Sequence, residues 1–156
     1  MTAGLTAAAA TSGALLLFGS RLGDPLQAFT AVGVPVIGRG VPLLAAGIGL
    51  VAHISVCVLW GAIFGLLVPA SPRPLTVAAA ALGVTAGAAL VHSYLLLPTL
   101  RLGAGLGGPR APTGPVVALH LVLAISLVLG LYVARRAARE PTLLERSLGD
   151  ADVSPP

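Results

Sequence analysis

Four long stretches of this chain, residues 1–20, 40–72, 74–100 and 111–134, contain no Asp, Glu, Lys or Arg. Each reaches the ~17–25 residues with which a helix crosses a hydrocarbon core of roughly 30 Å. Inside lipid every backbone N–H and C=O must find a partner within the protein, so only helices and closed barrels span it. None of the four stretches alternates apolar and polar residues as a barrel strand does. The expected fold is therefore all-α: a polytopic membrane protein with four transmembrane helices, at about 2–20, 42–69, 74–98 and 115–137, in an antiparallel bundle.

Composition agrees. Charged residues make up 9% of the 156 and hydrophobic ones 56%, with a mean hydropathy of +0.99. A soluble domain carries about 25% charge, and a chain this short cannot hide so much apolar surface in one core. The reading excludes a soluble enzyme, a disulfide scaffold and a disordered chain. Residues 1–137 form one transmembrane domain, and 138–156 a polar tail. The first stretch lacks a basic start and a small-x-small cleavage site, so it reads as a helix and not as a signal peptide.

Proline punctuates the segments. Pro42, Pro74 and Pro115 fall in first turns, where a missing N–H costs nothing. Pro69 and Pro72 stop the second segment, and Pro98 ends or kinks the third. Between the first two segments, Asp24-Pro25 reads as a helix start and Gly33 as its end. The spacing predicts a short interfacial helix over 25–32 with Leu26, Phe29 and Val32 exposed.

All nine basic residues are arginines, and they sit at the segment ends. With four spans, Arg73, Arg135, Arg136, Arg139 and Arg146 share one side with both termini, and Arg21, Arg39, Arg101 and Arg110 share the other. The Arg135-Arg136 cluster puts both termini in the cytoplasm under the positive-inside rule. The net charge of +4 is that of membrane flanks meeting anionic headgroups, not of a nucleic-acid binder. The expected setting is the inner (plasma) membrane, with the lipid bilayer, other membrane subunits or further copies of the chain as partners.

Helices in lipid associate through small residues. The second segment has a four-residue ladder, Ala45, Gly49, His53, Cys57, Gly61 and Gly65. The third has Ala79, Gly83 and Gly87, and the fourth Ser126, Gly130 and Ala134. Gly49, Gly61, Gly65, Gly83, Gly87 and Gly130 are accordingly the expected helix-packing positions.

Few residues carry chemistry. Gly103-Ala104-Gly105-Leu106-Gly107-Gly108 matches a dinucleotide fingerprint in letters only; no strand precedes it, and Pro109 follows. The apolar segments offer no carboxylate to orient a catalytic base, and catalysis is not expected. Three histidines remain. His92 lies six residues before Pro98 and His120 five after Pro115, which puts both ~8–9 Å below the same membrane face. His53, 11 residues beyond Pro42, lies about 16 Å below it. The pair His92 and His120, with His53 approaching from below, suits binding of a haem or chlorin by axial ligation, with arginines outside for the propionates and Ala88 leaving room for the macrocycle. Two imidazoles alone make a poor zinc site. The plainer alternative is histidines bonded to backbone carbonyls, with no cofactor and no metal.

Gly49-Leu50-Val51-Ala52-His53-Ile54-Ser55, then Leu59-Trp60-Gly61-Ala62-Ile63-Phe64-Gly65-Leu66-Leu67, resembles small bacterial four-helix inner-membrane proteins of unknown function. In these the second and fourth helices each open with a His and continue into a Gly-containing stretch. Ala118-Leu119-His120, leading to Leu129-Gly130-Leu131-Tyr132, fits the same pattern. The resemblance covers most of 1–137 and implies no activity. The sequence thus reads first as a non-catalytic accessory or structural subunit. It reads second as a haem- or chlorin-binding redox or photosynthetic subunit, and third as a small oligomeric transporter.

Overall fold

A computed structural model describes residues 2–69, 71–96, 98 and 113–138. Among them the chain is a helical bundle without strands. Its elements are α1 (Thr2–Arg21), α2 (Gln27–Ile37), α3 (Pro42–Leu67), α4 (Pro74–Val91) and α5 (Thr113–Ala137), and α4 runs on into one π-helical turn, His92–Leu96. Four of these helices are long and apolar enough to cross a membrane: α1, α3, α4 with its π turn, and α5. The Gly103–Gly108 run and the tail from 139 onward lie outside the described residues.

Proline sets most of the boundaries. Val41, Val68 and Arg73 each precede a proline or sit next to one that bars the α region, and Val68 (φ −95°, ψ 116°) and Arg73 (φ −72°, ψ 149°) are extended. Steric conflict with the next proline's ring forces this geometry, so α3 stops at Leu67, two residues short of the expected end. The third span also departs from expectation, because α-helical geometry ends at Val91. Pro98 has no N–H for the Tyr94 carbonyl, and the turn before it widens to π spacing.

The short helix differs most. It begins at Gln27, after a turn in which the Asp24 carboxylate accepts the Leu26 N–H at 3.0 Å, and it continues through Gly33 and Pro35 to Ile37. Gly38, at φ 83°, takes the terminating role expected of Gly33. Gly33 serves packing instead: a Cβ there would collide with the Ala45 carbonyl of α3, and one on Gly49 would collide with the Phe29 carbonyl of α2. Phe29, expected on an exposed face, is only 3% exposed. So α2 packs on α3 through Phe29 and Gly33, while Leu26 stays exposed.

Small residues on α1 bring three helices together. Gly61 of α3 sits against the backbone of Gly4, and a Cβ on Gly4 would lie 2.7 Å from the Val58 Cα. A Cβ on Gly130 of α5 would lie 2.5 Å from the Ala3 Cα and 3.1 Å from the Thr6 Cβ. Ala7, Phe64, Val68, Ala81, Val84, Ala88, Leu123 and Leu127 pack as one buried cluster beside this seam, drawing in α4. At the end of α5, Arg135 donates to the Pro69 carbonyl at 2.9 Å.

The four-residue ladder of α3 does not stay on one face. At 3.6 residues per turn a step of four overshoots by about 40°, so the ladder winds around the helix. Ala45 and Gly49 meet α2, whereas Cys57 and Gly61 face α1. Gly65 has turned outward, with nothing within 4 Å of a Cβ, and Phe64 and Val68 fill the core in its place. On α4 the buried stripe is Ala81, Val84, Thr85 and Ala88. Gly83 is exposed with open space around it, and Gly87 lies 3.7 Å from the Trp60 ring. Gly65 and Gly83 are therefore not packing positions among the described residues, contrary to expectation.

Gly61→Leu and Gly49→Leu should each lower the melting temperature of the detergent-purified protein, because overpacking costs about 1–3 kcal/mol or more. Gly65→Leu should melt like the parent. Differential scanning fluorimetry checks both, and a loss of stability in Gly65→Leu equal to that in Gly61→Leu would contradict this packing.

Candidate histidine site

The three histidines divide into a pair and a single residue. His92 opens the π turn, and its N–H is shared between the Ala88 and Ala89 carbonyls. His120 stands two turns into α5 and is 9% exposed. The two rings meet edge to face, with centroids 5.4 Å apart and planes at 79°.

The His120 tautomer follows from its hydrogen bond. Nδ1–H donates to the Val116 carbonyl one turn back, at 2.7 Å. A neutral imidazole carries one N–H, so Nε2 keeps its lone pair. This is the arrangement in which a second hydrogen bond orients a ligating histidine.

His53 belongs to a different network. Its Nε2 is 2.9 Å from the Thr11 hydroxyl oxygen and 3.6 Å from Cys57 Sγ. The Thr11 hydroxyl gives its proton to the Ala7 carbonyl at 2.7 Å, so its oxygen accepts from His53 Nε2–H. Cys57 Sγ approaches that oxygen at 3.5 Å, and the Phe29 ring lies edge-on to His53 at 5.8 Å between centroids. His53 thus ties α1, α2 and α3 together through its Nε2 and its ring face.

Sequence reasoning found all three histidines but neither Thr11 nor Phe29. A threonine among alanines carries no signal of its own, and the sequence pattern puts Phe29 on an exposed face. The π turn at His92 was signalled only by Pro98. Such turns recur at functional sites in helices.

Room for a macrocycle is another matter. A haem would lie as a slab between the two imidazoles, with ring nitrogens about 4 Å apart, whereas the rings touch edge to face. Ala88, expected to leave space, is buried in the cluster with Leu123 and Leu127. Among the described residues no three His, Cys, Asp or Glu side chains are placed to hold one metal ion. An open groove between α1 and α2, walled by Leu15, Phe18 and Val34 with Asp24 and Arg39 at its edge, contains none of the histidines.

Comparison with family models, curated proteins and solved structures found no match to the chain.

On the same stripe of α4 as His92, the buried Thr85 hydroxyl has no partner among the described residues. A buried unsatisfied hydroxyl costs about 1–3 kcal/mol. Thr85→Val, nearly equal in shape, should raise the melting temperature in detergent. An unchanged or lower value would mean that the hydroxyl has a hydrogen-bond partner after all.

Proposed function

We propose that this chain is a small, non-catalytic integral protein of a bacterial inner membrane, acting as an accessory or structural subunit beside other membrane proteins. One observation carries the reading. The outward faces of the four long helices are apolar along their length, with Leu43 77% and Leu66 88% exposed. In water such continuous apolar surface would aggregate; in lipid or against other helices it is at home. No Asp, Glu, Lys or Arg lies within the cores of these segments, which speaks against a proton- or cation-coupled carrier.

The four long helices cross in alternating directions as an antiparallel bundle. Support comes from the pairing of the start of α1 with the end of α3 (Gly4 with Gly61) and of their middles (Thr11 with His53). Both termini lie in the cytoplasm, on the side of the Arg135-Arg136 cluster. The partner is another membrane protein, bound through the outer apolar faces, or a further copy of the chain.

Purification in mild detergent with a C-terminal fluorescent-protein fusion tests this. The fusion should resist alkaline carbonate extraction from membranes, fluoresce as a cytoplasmic reporter does, and migrate in an assembly larger than itself. A lone monodisperse monomer would overturn the subunit role, and a dark, exported reporter would overturn the orientation.

A further inference from the structure

We propose that His92 and His120 form a binding site for a single monovalent copper ion, held by two neutral imidazoles between the end of α4 and the first half of α5. The inference needs the bundle fold but not the subunit role, and a lone purified chain suffices to test it.

Donor chemistry selects the ion. The connection 97–112 contains no His, Cys, Met, Asp or Glu, so the sequence places no further protein ligand of these types beside the pair. His53 is engaged with Thr11. Zinc takes four ligands in structural sites and three plus water in catalytic ones. Calcium takes six to eight oxygens, and magnesium an octahedron of them. Imidazole nitrogens suit copper, and a closed-shell monovalent copper ion is satisfied by as few as two donors. Charge points the same way. A divalent ion beside two neutral ligands would leave two uncompensated charges in an apolar setting, and burying unpaired charge is costly. A single positive charge costs less.

Geometry agrees with the donor argument. With metal–nitrogen bonds of about 2.0 Å, two imidazoles on a near-linear ion have centroids roughly 6 Å apart; these rings stand at 5.4 Å, so turning one ring out of the edge-to-face contact and opening the pair slightly admits the ion. A macrocycle would need the helices to move much further apart. His120 Nδ1–H is already committed to the Val116 carbonyl, which leaves Nε2 as the ligating atom and holds the ring in orientation. His92 is only half-buried, so the pair is reachable from outside the bundle while His120 stays enclosed.

The test is titration of the full-length protein in detergent, under argon with ascorbate, with a cuprous salt against a chromophoric cuprous chelator. Bound copper is then counted by mass spectrometry after desalting. The expected result is one ion per chain, no comparable retention of zinc, and loss of the stoichiometric ion in both His92→Gln and His120→Gln. His53→Gln should keep it. Copper lost only in Cys57→Ser, copper retained by both pair variants, or none retained by the parent would overturn the site. Should the pair variants fail to fold, X-ray absorption of the copper-loaded parent decides. Nitrogen neighbours without sulfur support the site, and a sulfur neighbour overturns it.

Discussion

Backbone contact through α1 is the interaction on which the rest of this fold depends. An alanine- and glycine-rich helix presents almost no side-chain bulk, so α3 can seat Gly61 on Gly4 while α5 brings Gly130 onto Ala3. Two large helices then approach through a third that acts as a thin spacer. Only after this approach can Phe64 and Leu127 become fully buried and Ala81, Val84 and Ala88 of α4 close over them. In an apolar solvent no hydrophobic drive favours one helix pair over another. In the lipid setting proposed for the bundle, dispersion at close range does the selecting, and each added methyl group at the seam weakens it.

Polar groups in the bundle are few and are handled locally. Thr6, Thr11, Ser20, Ser55 and Ser126 each return a hydroxyl proton to the carbonyl four residues earlier, which satisfies them without constraining the packing. His53 and Thr11 are different, because their bond joins two helices and fixes how α1 is rotated against α3. His120 is different again. Its local bond to Val116 leaves one ring nitrogen uncommitted next to a second imidazole, and this uncommitted donor gives the bundle a chemical capacity that its apolar faces lack.

Much of the architecture was legible because charge and proline are hard constraints. A helix in apolar surroundings excludes charge, and a proline fixes the residue before it, so four segments could be bounded to within a few residues. The choice of packing face was not legible. Every face of α3 and α4 is apolar, hence periodicity does not separate inside from outside, and a four-residue ladder of small residues winds off its own face, as Gly65 does. Phe29 was misplaced for a related reason: Gly33 reads as a helix end in sequence, and only the nearby Ala45 carbonyl explains it as a contact. The matched depth of His92 and His120 followed from counting residues between prolines, but the edge-to-face contact of their rings required coordinates.

Disulfide trapping across α1 and α3 tests the seating of α1. Thr11 Oγ1 lies 3.5 Å from Cys57 Sγ, and Cys57 is the chain's one cysteine, so Thr11→Cys alone places two sulfurs within reach of each other. After mild oxidation with iodine in native membranes, both thiols should resist maleimide labelling in a monomeric chain. Reducing agent should restore the labelling, and Ser12→Cys, on a different face of α1, should stay reactive throughout. Free thiols in oxidised Thr11→Cys, or disulfides that link one chain to another, would contradict the packing of α1 against α3 on which the fold described above is built.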